Sequence, residues 1–79
     1  MKPLDAIKTS IETDSVVHVA VDNAGSYAAE LSGEWPDESD SVATEDGRGR
    51  KMIEVWGWRD EEGPLAKTTW RVHVHQSAQ

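Results

Sequence analysis

Two tryptophans in an apolar stretch are the first candidates for residues of a binding surface. Trp56 and Trp58 are two positions apart in a segment rich in β-branched and aromatic residues. Side chains two residues apart on a strand lie on the same face of the sheet. Paired exposed indoles are typical of recognition surfaces. The spacing therefore predicts a protein-interaction surface, whose expected members are Trp56, Trp58, Met52, Arg71 and Lys67.

The partner of this surface is either another protein or a second copy of the chain. A homodimer would give a short chain extra apolar burial, which stabilises an assembly by about 25 cal/mol per Å². Two alternatives would remove this surface: a bulge at Gly57 would turn one of the two indoles into the core, or the long loop at 36–50 would pack over them.

A basic run before the same segment favours a second function, single-stranded nucleic-acid binding by residues 47–75. Aromatic rings on a sheet stack bases while neighbouring cations bind phosphates. The expected contributors are Arg48, Arg50, Lys51, Trp56 and Trp58. The formal net charge of −7 opposes this interpretation, because it repels a polyanion at long range.

Three histidines suggest metal binding as a third function. His73 and His75 share a strand face at i, i+2, a spacing that presents two imidazoles to one ion. His18 and Glu30 would complete the ligand set if the first strand lies beside the last. The alternative is that these side chains are simply the solvated face of a strand.

Catalysis has little support in the sequence. The chain has no cysteine, and it has no nucleophile elbow, phosphate-binding loop or HExxH motif. We therefore expect a non-enzymatic protein without a bound cofactor.

Length and charge limit the class of protein. A chain of 79 residues is one small domain, and 15 acidic against 8 basic residues make it strongly acidic. The acids are concentrated before residue 47 and the bases after it. No apolar run is long enough for a membrane span or a signal peptide, so we expect a cytoplasmic location. The acid excess with few lysines is also typical of halophilic, archaeal proteins.

The periodicity of apolar residues predicts the elements that carry these side chains. Leu4, Ile7 and Ile11 form one stripe of a helix over about 3–13, with Pro3 in its first turn. Residues 15–22 alternate as a strand. A loop at 22–26 would then pair this strand with residues 27–31 as a hairpin.

A second hairpin is predicted from residues 51–58 and 68–75, joined by a turn at 61–64. Opposite charges favour a register in which Glu54 faces Arg71 and Ile53 faces Val72, whereas a slip of two residues would keep the faces and lose the charge pair. Residues 36–50 are predicted to be a flexible acidic loop.

These elements predict an α+β fold over residues 1–79. One N-terminal helix would cover a four-stranded, mainly antiparallel sheet built from two hairpins. The alternative is a small open β-barrel, because Gly33 and Gly57 would allow the strands to bend.

Overall fold

The computed structural model describes residues 1–34, 38–59 and 68–77. Its elements are α1 (Pro3–Thr13), β1 (Val16–Val21), α2 (Ala24–Glu34), β2 (Glu38–Glu45), β3 (Lys51–Arg59) and β4 (Thr68–Gln76). The strands form one sheet in the order β1-β4-β3-β2, in which β1 is parallel to β4 and the other two pairs are antiparallel. The predicted α+β class is confirmed, with the N-terminal helix on a four-stranded sheet. The sheet is not closed, so the barrel alternative is wrong.

Helix α1 begins and ends at the predicted residues. Pro3 occupies its first turn, and Asp14 ends it in the left-handed conformation, with φ 49°. Ile7 is buried in the core and Ile11 packs against it. Ser10 is also buried: its hydroxyl donates to the Ser15 carbonyl at 2.7 Å and accepts from the Arg71 backbone N–H at 2.9 Å. This contact joins the helix to the beginning of the β1–β4 pairing.

The predicted first hairpin is wrong, because residues 24–34 form the helix α2. Its buried side chains follow a helical spacing of i, i+3, i+4 and i+7, and they are Ala24, Tyr27, Ala28 and Leu31. Asn23 precedes the helix, and its Oδ1 accepts the Ser26 backbone N–H at 3.0 Å as an N-cap does. Strand β1 therefore pairs with β4 and not with residues 27–31.

The predicted loop at 36–50 is also wrong, because Glu38–Glu45 form the edge strand β2. Every residue of β2 except the half-buried Ser39 is exposed. Among the described strands β2 pairs with β3 alone, so its other edge keeps unpaired backbone groups. A short turn follows, in which Asp46 binds Arg50 in an ion pair of 2.9 Å and Gly49 has a φ of 76°.

The predicted register of the second hairpin is wrong by two residues. Val55 faces Val72, and Gly57 faces Trp70. An added Cβ at Gly57 would lie 2.8 Å from Cζ2 of the Trp70 ring, which is only 1% exposed. The observed register therefore places the one strand residue without a side chain where the large buried indole needs space. The predicted turn at 61–64 lies outside the described residues.

One face of the sheet carries the core. Both helices pack on this face, and the buried side chains are Ala6, Ile7, Val17, Val19, Ala24, Tyr27, Ala28, Leu31, Val55, Trp70, Val72 and Val74. Because side chains alternate along each strand, the intervening residues lie on the opposite face, which neither helix covers.

Candidate functional site

We call the side of the sheet that neither α1 nor α2 covers the open face. Its members are Val16, His18 and Ala20 from β1; Thr69, Arg71, His73 and His75 from β4; Met52, Glu54, Trp56 and Trp58 from β3; and Glu38, Asp40, Val42 and Thr44 from β2. The open face is thus formed by alternate residues of all four strands. Most of the residues predicted to be functional lie on it.

The two indoles lie on the open face, as their spacing predicts. β3 pairs without interruption with both neighbours through Gly57, so the bulge alternative is wrong. Trp56 is half-buried, and Trp58 is 38% exposed. Val42 on β2 is 47% exposed on the same face. Apolar side chains are therefore accessible at the β2–β3 half of the open face.

The other predicted members of the interaction surface differ in their accessibility. Arg71 is exposed and lies directly opposite Trp56 on the neighbouring strand. Met52 is only 7% exposed between Thr44 and His75, so it adds little to a docking surface. Lys67 lies outside the described residues.

Acidic side chains border the indoles. Glu38 lies directly opposite Trp58, and Asp40 lies directly opposite Trp56. Both carboxylates are exposed on the open face. The accessible apolar area is therefore in a negative environment, with the guanidinium of Arg71 on its other side.

The residues proposed for nucleic-acid binding do not form one continuous patch. Arg48 and Arg50 lie in the β2–β3 turn, where both of their backbone N–H groups donate to Asp46 Oδ1. These hydrogen bonds, first that from Arg50, hold the pKa of the Asp46 carboxyl below its usual range. Lys51 begins β3, and Trp58 lies seven residues further along the strand, roughly 23 Å away at about 3.3 Å per residue.

All three histidines lie together on the open face, and we call them the histidine cluster. His18 on β1 pairs directly with His73 on β4, and His75 follows two residues later. Nδ1 of His18 is 3.0 Å from Nε2 of His75, within hydrogen-bond distance. The ring centroids of His18 and His73 are 5.1 Å apart, with the planes at 85°. The condition for bringing the three histidines together, that the first strand lies beside the last, is met.

Glu54 adjoins the histidine cluster, and Glu30 does not. Glu54 lies directly opposite His73, with 3.8 Å between its Oε1 and the His73 Nε2. Glu30, the expected carboxylate ligand, is exposed on helix α2, so that part of the prediction is wrong. Within residues 1–34, 38–59 and 68–77, no three His, Asp or Glu side chains are arranged to hold a metal ion as they stand.

The pKa of His73 is lowered from its usual value. Partial burial, which disfavours the charged imidazole, is the largest cause. The Glu54 carboxylate opposes this effect, whereas the neighbouring His18, His75 and Arg71 add to it. Together these surroundings favour the neutral form of the His73 ring.

The comparisons with known proteins identify no relative. No family model, curated protein or solved structure gives a significant match to the chain. Neither α1 nor α2, the helices of the described part of the chain, is long and apolar enough to cross a membrane.

The sequence reasoning missed the contribution of β2 to the open face. Glu38, Asp40 and Val42 alternate with small residues, a period of two that is compatible with a strand. The scarcity of apolar residues concealed this signal, because an exposed edge strand needs few of them.

Proposed function

We propose that the protein is a non-enzymatic interaction module. In this proposal the β2–β3 half of the open face binds a protein segment that carries lysine or arginine between apolar side chains. The observation that carries the proposal is the exposure of Trp58, 38%, and of Val42, 47%, on the face opposite both helices, with Trp56 between their positions in the register. Large apolar side chains in such a position favour association because binding removes them from water.

Charge favours a basic partner over a second copy. Glu38 and Asp40 are exposed beside the two indoles. A lysine or arginine seated there would pair with a carboxylate and contact the face of a tryptophan ring. Two copies stacked through this surface would instead bring their carboxylates together, and each chain has a net charge of −7.

The same carboxylates disfavour nucleic acid as the partner. Phosphates of a strand stacked on Trp56 and Trp58 would approach Asp40 and Glu38, which lie directly opposite the two indoles. The basic turn is at the other end of β3. A non-enzymatic role is supported by the sequence, which has no cysteine and no motif for covalent or phosphoryl-transfer catalysis.

A peptide titration tests this proposal. The probes are a short synthetic peptide of alternating lysine and valine and its counterpart with glutamate in place of lysine, each titrated against tryptophan fluorescence. We expect only the lysine peptide to bind. Trp58→Ala should weaken binding by about tenfold or more, as loss of an interface anchor does. Asp40→Asn should weaken it severalfold and reduce its salt dependence.

The matched control for Asp40→Asn is Glu30→Gln. It removes the same charge from an exposed position on α2, on the far side of the helix layer. The control should bind the lysine peptide like the wild type. Equal binding of both peptides, or an equal loss in the two charge variants, would contradict the proposal.

Sedimentation equilibrium separates the basic partner from a second copy. We expect the protein alone to be monomeric at both low and high salt. A dimer that Trp58→Ala dissociates would show that a second copy occupies the open face, and it would overturn the proposal of a basic partner.

We also propose that the chain works in the cytoplasm of a halophilic archaeon. The support is its composition, with 15 acidic and 8 basic residues, and the exposed carboxylates of β2. In such a protein, molar potassium chloride should raise the thermal midpoint well above its value at about 0.15 M salt, because salt screens the repulsion between carboxylates. A midpoint that is insensitive to salt would contradict the halophilic origin and leave the interaction proposal untouched.

A further inference from the structure

We propose that the histidine cluster binds a divalent transition-metal ion such as zinc, with His18 and His75 as the first two ligands and His73 as the third. All 3 histidines of the chain belong to this cluster. They come from two strands that are far apart in sequence and parallel in the sheet. Neutral imidazole is a ligand for zinc, copper and nickel.

The first two ligands already have a suitable separation. Nδ1 of His18 and Nε2 of His75 are 3.0 Å apart. Two nitrogens bound to one tetrahedral zinc, each at about 2.0–2.1 Å, are about 3.3 Å apart. Two metal bonds therefore need an increase of only a few tenths of an ångström in this separation, together with a turn of both rings that directs their nitrogens at the ion. Their ring centroids are 5.3 Å apart, which with 3.0 Å between the nitrogens places the two imidazoles end to end. Each ring must therefore turn by roughly 35° before its nitrogen faces a tetrahedral ion.

The third ligand also requires a side-chain rotation. The ring of His73 is nearly perpendicular to that of His18, so the three rings do not point at one position as they stand. The two residues are direct neighbours on adjacent strands, which keeps the His73 ring within reach of an ion bound to His18. Rotation about the side-chain bonds of a surface residue is fast and needs no change in the backbone.

Glu54 would orient this third ligand. Its Oε1 is 3.8 Å from Nε2 of His73. If Nδ1 of His73 binds the ion, its Nε2–H is left to donate to the Glu54 carboxylate, which lies directly opposite on β3. Metal-binding histidines usually donate their second ring N–H to such a group, which fixes the tautomer and increases the basicity of the ligand.

Neighbouring charges act in opposite directions on the bound ion. Arg71 flanks the cluster on β4 and repels a cation, whereas the net charge of −7 attracts one. Scattered carboxylates also bind zinc weakly, so a test must separate them from the imidazoles. The cluster and the proposed docking area around Trp58 use different residues, and each proposal can fail without the other.

Calorimetric titration of zinc chloride into the untagged protein near neutral pH tests the inference. We expect one ion per chain. His18→Ala and His75→Ala should each lower the affinity more than tenfold, and His73→Ala should also lower it. Glu54→Gln should weaken binding by about tenfold, as loss of a group that orients a ligand does. Affinity should fall as the pH is lowered, because metal binding requires deprotonated imidazoles and protons compete with the ion for them.

Glu12→Gln is the matched control, because it removes an exposed carboxylate from α1. It should bind zinc like the wild type, and so should Trp58→Ala. Cobalt absorption provides a second measurement, since nitrogen ligands in a tetrahedral site give intense visible bands. The side chain of His18 is exposed, so its replacement leaves the core intact. Zinc affinity that is unchanged in the double variant His18→Ala/His75→Ala would overturn the inference, as would an equal loss in Glu12→Gln.

Discussion

Replacement of Gly57 by alanine should destabilise the protein strongly. The added Cβ would lie 2.5 Å from the carbonyl oxygen of Glu38 and 2.8 Å from Cζ2 of Trp70. The first neighbour is backbone of the paired strand, and the second is a ring that is 1% exposed. Neither can move without disturbing the sheet or the core. We therefore expect a loss of roughly 3 kcal/mol, at the upper end of the usual cost of overpacking.

This loss is large for a chain of 79 residues, whose total stability is expected to be about 4–12 kcal/mol at about 0.05–0.15 kcal/mol per residue. Urea unfolding measures it. With a slope of about 1–3 kcal/mol per molar, the midpoint should fall by about 1–3 M while the slope stays unchanged.

Gly33→Ala is the control for the Gly57 substitution. Gly33 lies in the last turn of α2, and no atom would be within 4 Å of its added Cβ. Alanine is a better helix former, so this variant should be as stable as the wild type or more stable by up to about 1 kcal/mol. If Gly57→Ala also stayed within about 1 kcal/mol of the wild type, the close packing of Trp70 against the strand would be refuted.

Two further predictions concern a buried hydroxyl and a partly buried imidazole. Ser10→Ala removes the acceptor of the Arg71 backbone N–H. It should lower the free energy of unfolding, measured in urea, by about 1–3 kcal/mol. The control Thr13→Ala removes an exposed hydroxyl and should change this free energy little. Because the pKa of His73 is lower in the folded protein, the unfolded chain takes up its proton first as the pH falls below about 6.5. With a chelator present, the thermal midpoint should therefore decrease as the pH falls from neutrality toward the pKa of His73 in the folded protein. The variant His73→Gln should show a smaller decrease. Identical pH profiles for the two proteins would contradict the assignment of this decrease to His73.

Local patterns in the sequence predicted α1, β1, β3 and β4 because each has a regular apolar period. They failed at α2, where Tyr27 and Leu31 fit both a strand and a helix. The small side chains of Ala24 and Ala28, which complete the helical spacing, give only a weak apolar signal. The parallel partner of β1 is also invisible to local patterns, because β4 lies at the other end of the chain.

The register of the second hairpin shows the limit of pairwise reasoning. The predicted contact between Glu54 and Arg71 is worth about 0.2–1 kcal/mol. The observed register instead places Gly57 opposite Trp70, where it avoids a much costlier steric conflict. That conflict depends on the three-dimensional position of the indole, which spacing alone does not provide.

The candidate site was predicted in part. Alternation placed Trp56 and Trp58 on the face away from α1, and the histidines meet because the first strand does lie beside the last. The metal and docking functions stay predictions. The sequence analysis paired Glu54 with Arg71 and not with His73. Which residue faces Glu54 depends on the register of the β3–β4 pair, and that register was predicted two residues away from the observed one.

The unpaired edge of β2 has a consequence for solubility. Glu38, Asp40 and Glu45 place charges along the strand, which hinder the pairing of another chain to it through repulsion. A variant that replaces these three carboxylates with amides should therefore associate through this strand edge more readily than the wild type does.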